Sequence, residues 1–202
     1  MKAAQFLIGK PWKMAAKVLI TALVLVSVVA LLADAQNSRL SPYQGERDGV
    51  NAGGRWYAFR SENPMTAARI VRFELQADNY LSWSREKPSV ELVCTNRKYS
   101  NADFTPGAPL GPPNRPGFWG QPQIEVMVRA DDGHHHNGWN WINGRALSMD
   151  KGTVRELIGA HIFKVQLPGP RGPEIVDFSP AGLDLAQVRQ ACDLTPKKPS
   201  KD

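Results

Sequence analysis

Cysteine is scarce in this chain: 202 residues hold two, Cys94 and Cys192, so a disulfide has only one connectivity open to it. Catalytic signatures are missing. There is no G-x-S-x-G elbow, no H-E-x-x-H zinc helix, no P-loop and no G-x-G-x-x-G turn. Ser61, Ser84 and Ser148 have no histidine and aspartate partners that spacing can name, and Glu74, Glu91 and Glu125 alternate along strands as solvent-facing residues do. With no acid, base or nucleophile singled out, the sequence reads as a non-enzyme that needs no cofactor. No internal repeat is evident, and the length suits one domain.

Charge is also missing from "VLITALVLVSVVALLA", 16 residues that follow Lys2, Lys10, Lys13 and Lys17. They fall short of the ~20 that a spanning helix prefers, and Ala33-Asp34-Ala35 supplies a small-x-small cleavage pattern. Residues 1–35 are therefore expected to be an export signal, with an uncleaved N-terminal anchor as the alternative. Removing their four lysines and one aspartate lowers the net charge from +6 to +3. Part of that excess sits in "PKKPSKD", and residues 194–202 read as a solvated basic tail, so nucleic-acid binding gains little support. Residues 36–54 lack apolar periodicity, end in Gly53-Gly54 and read as a flexible leader.

From Trp56 onward the dominant pattern is period-two alternation. "VRFELQA" puts Val71, Phe73, Leu75 and Ala77 on one side. "VELVC", "IEVMVRA", "IFKVQL" and "EIVDF" behave alike, and "RWYAFRS" (55–61) is a further strand. Turn chemistry separates them in place of long helical runs, which predicts an antiparallel β-sandwich over residues 55–193. Two short helices are added. "KGTVRELIGA" (151–160) is one, and "AGLDLAQVRQAC" is the other, with Ala181, Leu185, Val188 and Cys192 at helical spacing. Cys192 then lies on the apolar stripe of a C-terminal helix and Cys94 on the apolar face of its strand. In an oxidising compartment the two are expected to join and clamp that helix to the sheet. A loop near 100 residues is worth ~4.7 kcal/mol in the chain-entropy model.

Two stretches are candidates for contact or chemistry. "TPGAPLGPPNRPGFWGQP" (105–122) is too rich in Pro and Gly for a regular element and reads as a surface loop. Phe118 and Trp119 within it either fold back as an apolar plug, the favoured reading, or stand out as a contact. In "DDGHHHNGWNW" (131–141) an Asp132-Gly133 turn would set Ala130 against His135, Val128 against Asn137, Val126 against Trp139 and Ile124 against Trp141. Asp131 would then face His134, and Arg129 would face His136. His134, His136 and Asp131 form a metal-binding alternative, but Arg129 opposes a cation and a further ligand is lacking, so an exposed hairpin without a metal is preferred. Asn143-Gly144 is expected to turn the chain again, where Leu147 and Met149 match the face of Trp139 and Trp141 only through a bulge or a looser turn.

Trp56, "SENPM" (61–65), an alternating strand, Cys94, "VRADD" before a tryptophan strand, and "FSPAGLDLAQVRQAC" together resemble the small exported accessory proteins of type VI secretion, the VasI or TagO type. The closing stretch, with Phe178, Gly182-Leu183, Ala186 and Ala191-Cys192, is the most specific part. The resemblance covers residues 55–193 and implies a disulfide-bonded β-sandwich with a non-catalytic envelope role; it transfers no catalytic residues. The functional expectation is an exported, periplasmic or extracellular binding module. Its partner would be an envelope protein or the cell wall, and contact with a membrane would come only through a retained N-terminal segment. The alternatives are a glycan-binding module with Trp119, Trp139, Trp141 or Trp83 as its platform, and a metal carrier or metal-dependent hydrolase built on the histidines.

Overall fold

The computed structural model of the protein describes residues 48–197. Its strands are β1 (Val50–Asn51), β2 (Trp56–Glu62), β3 (Arg69–Gln76), β4 (Ser89–Thr95), β5 (Lys98–Thr105), β6 (Arg115–Pro116), β7 (Pro122–Ala130), β8 (Gly133–Ile142), β9 (Ala146–Ser148), β10 (Phe163–Gly169) and β11 (Gly172–Phe178). Two helices accompany them, α1 (Lys151–Leu157) and α2 (Leu185–Cys192). Each strand expected from alternation is present. The period is visible in burial: on β3 Phe73 and Leu75 are buried while Glu74 and Gln76 are not, and on β7 Ile124, Val126 and Val128 are buried between Glu125, Met127 and Arg129. β5 was not anticipated, because "KYSNADFT" has few residues of high strand propensity; it nevertheless buries Ala102 and Phe104 in alternation.

All ladders are antiparallel, and the eleven strands make one sheet, β1-β2-β3-β4-β5-β9-β8-β7-β10-β11, with β6 added beside β7. The expected antiparallel sheet, short helices and disulfide are therefore present, but the ladder does not divide into the two sheets of a sandwich. One sheet bends over a single apolar interior. Phe104 on β5 meets the ring of Phe178 on β11 edge-on at 6.2 Å, although β9, β8, β7 and β10 lie between these strands in the ladder. The β3–β4 connection caps the outer edge of β11. Asp78 donates its amide to the Asp177 carbonyl (2.8 Å), and Asn79 pairs with the Asp177 amide (2.9 Å) and the Ile175 carbonyl (2.8 Å). Residues 175–177 of that edge are thereby closed to pairing with another chain.

Residues 50–54 and 194–197, read from composition as leader and tail, are part of the fold. Gly53 (φ 99°) and Gly54 (φ 55°) press on the 181–182 backbone: a Cβ on either would stand 2.2 Å from a carbonyl oxygen. The Gly-Gly pair is thus a packing device, and the fold includes residues before Trp56, among them β1. At the other end Leu194 is buried, the Arg155 Nε donates to the Thr195 carbonyl (2.9 Å), and Lys197 bonds Glu156 (2.6 Å). Residues 194–197 are therefore tied to α1. The expected signal and the rest of the tail lie outside the described residues.

Asp184 caps α2, its carboxylate accepting from the amides of Ala186 (3.0 Å) and Gln187 (3.2 Å), and Asp193 ends it in the left-handed region at φ 51°. Val188 and Cys192 point inward, and Cys192 is bonded to Cys94 with a Cα–Cα separation of 5.0 Å. Cys94 stands at the irregularity between Val93 and Cys94 on β4. The bridge spans 98 residues, from β4 to the end of α2. Replacing both cysteines by alanine is expected to cost about 2–5 kcal/mol, read as a lower urea midpoint. An unchanged midpoint would mean that packing alone holds α2.

Candidate functional site

The histidine hairpin is built as expected in face but not in register. Ala130 pairs with Gly133, Arg129 with His134, Val128 with His135 and Ile124 with Trp139, so the turn is centred on Asp131-Asp132 and not on Asp132-Gly133. Tertiary anchoring decides this. The Asp131 carboxylate accepts the amides of His161 and Ile162 (both 2.9 Å), its own amide donates to the Ile162 carbonyl (2.9 Å), and its φ is 49°. At the other end of β8, Asn143-Gly144-Arg145 form the looser turn that the pattern required, bringing Leu147 opposite Trp141.

The histidines do not converge. His136 Nδ1 lies 3.3 Å from Glu125, His135 Nδ1 3.8 Å from Glu156 and His161 Nδ1 3.9 Å from Asp131. Asp131 serves the backbone of the β10 entry, and among the described residues no group of three or more His, Cys, Asp or Glu is placed to hold a metal. His134 instead lines a groove of about 290 Å³ on the outer face, with Met127, Arg129, Asp132, Lys164, Gln166 and Ile175. Strand register produces it: Lys164, Arg129 and His134 form one cross-strand row, and Ile175, Gln166, Met127 and His136 form the next. Lys164 is paired with Asp177 at 2.8 Å. Arg129 is held by a bond from its Nε to the Asp131 carbonyl, 2.8 Å.

The tryptophans part company. Trp139 is fully buried 5.7 Å from Phe104, which removes it from the contact candidates. Trp141 is half-buried and donates its indole N–H to the Gly111 carbonyl (3.2 Å), pinning the Pro-rich loop. Trp83, also half-buried, packs over Gly169. Phe118 and Trp119 do not fold back as a plug: they are 88% and 87% exposed. β6 pairs with β7, and the tip is closed by Gly117 donating to the Gln121 carbonyl (2.7 Å) and Trp119 donating to the Gln121 side chain (2.9 Å). With Trp141 and Leu110 already covering the core on this side, the turn aims both rings at solvent, edge to face with centroids 4.9 Å apart.

Sequence reasoning missed a charged web on the outer face of β3–β5. Arg72 is 4% exposed, its guanidinium 4.1 Å from the Phe59 ring centroid and bonded to Glu74 (2.9 Å) and Glu91 (3.1 Å). Glu74 and Glu91 are therefore braced across the strands and not simply solvated. The only available signal was an arginine between two apolar residues of "VRFEL". Burial pushes the neighbouring Asp103 carboxyl up, against hydrogen bonds from Ser148 and Asn101 that lower it. Burial, reinforced by Asp103 and Asp150, pushes the Tyr99 hydroxyl up to about 12. Asp150 goes the other way: burial raises it, but bonds from the Thr153 hydroxyl and amide, Asn137 and the Gly152 amide outweigh that and hold it below its ordinary 3.8.

Fold and surface together define a disulfide-clamped antiparallel β domain with an outer-face groove and an exposed aromatic tip. No family model, curated protein or solved structure matches the chain.

Asp150 also caps α1, accepting the Thr153 amide at 3.0 Å. Its carboxyl is lowered on folding, so its stabilisation is complete above its unfolded value and is lost as pH falls through the folded one. Asp150→Ala is expected to cost about 1 kcal/mol near neutrality, and the deficit should shrink in urea titrations taken well below pH 3.8. A deficit constant with pH would assign the effect to the helix alone.

Proposed function

We propose that this protein is an exported, non-catalytic binding module of the cell envelope, an accessory of type VI secretion type, and that the Phe118–Trp119 tip is its contact element. One observation carries the reading: two large aromatic side chains, 88% and 87% exposed, are held outward on a hydrogen-bonded turn. Docked, each would remove about 150–250 Å² from water, and central aromatic anchors of this kind dominate binding energy at protein interfaces. The disulfide supports a compartment outside the cytoplasm. No helix among the described residues is long and apolar enough to cross a membrane. The resemblance to the VasI or TagO type supplies the secretion link.

A protein partner is favoured over a glycan. A sugar ring stacks on a flat aromatic platform, whereas the planes of Phe118 and Trp119 are 89° apart and Trp139 is inside the core. A pocket in a protein surface takes two perpendicular rings without penalty.

The test is capture from envelope extracts with the wild-type protein and with Phe118→Ser/Trp119→Ser. Wild type is expected to retain a defined envelope protein that the variant loses, with the unfolding free energy from urea titration changing by no more than about 0.5 kcal/mol, as for other exposed positions. Equal retention by both would remove the tip from the function. Sedimentation with purified cell wall, lost in the same variant, would favour the glycan reading.

A further inference from the structure

The tip and the groove belong to opposite ends of one strand, and no described segment covers either. Residues 117–121 lead into β7 at Pro122, whereas the groove is built on β7 from Met127 onward. At ~3.4 Å per residue those positions are about 17 Å apart, on a strand paired along both sides. Trp119 therefore cannot enter the groove of its own molecule.

We propose that the groove receives the Phe118–Trp119 tip of a second copy of this chain, in a head-to-tail contact. The lining suits an aromatic ring. Arg129 and Lys164 are the side chains that attract a ring face, and Met127 adds a thioether, which packs well at ring edges. Ile175, 49% exposed, offers an apolar wall. Gln166 can accept from the indole N–H, which only donates. Charge points the same way: the cations Arg129 and Lys164 are balanced by Asp132 on the rim and by Asp177, bonded to Lys164 at 2.8 Å. A near-neutral groove fits an uncharged aromatic occupant better than an anion, and Pro116, Gly117, Gly120 and Gln121 give the tip no charge of its own. The groove, about 290 Å³ and open to solvent, has room for the rings of the tip.

The contact pairs two different patches, so each dimer keeps one free tip and one free groove, and growth is open-ended. The rings together bury about 300–500 Å² of their own surface, short of the ~800 Å² per partner of a stable interface. Association is therefore weak and concentration-dependent, and the terminal tip stays open to another partner. This inference rests on the same reading of the tip as a contact element, but its test involves no envelope component, so the two can fail separately.

The experiment is sedimentation velocity on the protein expressed from its full-length gene, exported and purified, over a wide concentration range. The wild-type weight-average sedimentation coefficient is expected to rise with concentration. Trp119→Ser, lacking the indole of the tip, and Met127→Asp, with a carboxylate in place of the thioether in the groove, should each stay monomeric. Mixed, they should form a dimer that does not grow, because one supplies the groove and the other the tip. Ile175→Asp replaces Met127→Asp if the latter loses its cooperative urea transition. A wild type that stays monomeric throughout, self-association that survives in Trp119→Ser, or a mixture that stays monomeric would each overturn the proposal.

Discussion

Phe104 and Phe178 touch across the interior although the ladder runs through β9, β8, β7 and β10 to get from one strand to the other. That contact is possible only because a single sheet twists and bends until its apolar face meets itself. Trp139, Phe163, Leu147 and Val126 from the second half of the ladder share one cluster with Trp56, Phe73, Leu92 and Val90 from the first. The remaining features follow from closing this cluster. The β3–β4 connection must reach β11, Gly53-Gly54 must lie against the 181–182 backbone, and α1 and α2 must each add a buried stripe, the second fastened through Cys192.

Hiding one face so fully leaves the outer face to diversify. On β3–β5 it carries the web around Arg72, in which a buried cation is satisfied by an aromatic ring and by carboxylates on adjacent strands. Removing one member of such a web strands the others, so it commits the first half of the sheet to one register. On β8, β7, β10 and β11 the same face is looser, and Met127, Arg129, Lys164 and Ile175 line a groove in place of a closed network. The two halves thus differ in what their outer sides are free to do.

The interior was readable before the fold because period-two alternation is a local consequence of strand geometry. Phe73, Leu75, Val126, Val165 and Phe178 declare their side without reference to anything distant. The helical spacing of Val188 and Cys192 is of the same kind, and with two cysteines it leaves one bridge to draw. The candidate site was less legible. Phe118 and Trp119 were visible as aromatics in a Pro-rich loop, but their direction depends on pairing between β6 and β7 and on Trp141 having already covered the core. The groove has no signature, since Met127, His134, Lys164 and Ile175 come from four strands and meet only through register.

Strand faces, the short helices, the partner of Cys94 and the exposed side of the histidine run were determined by sequence alone, because each depends on residues close together in the chain or on elimination. Tertiary structure decided the bend that makes one sheet enclose a core, and the burial of Arg72. It also moved the hairpin turn to Asp131, whose carboxylate is claimed by amides 30 and 31 residues away. These outcomes weigh one backbone or side-chain partner against another across the molecule, and no short window of sequence contains both.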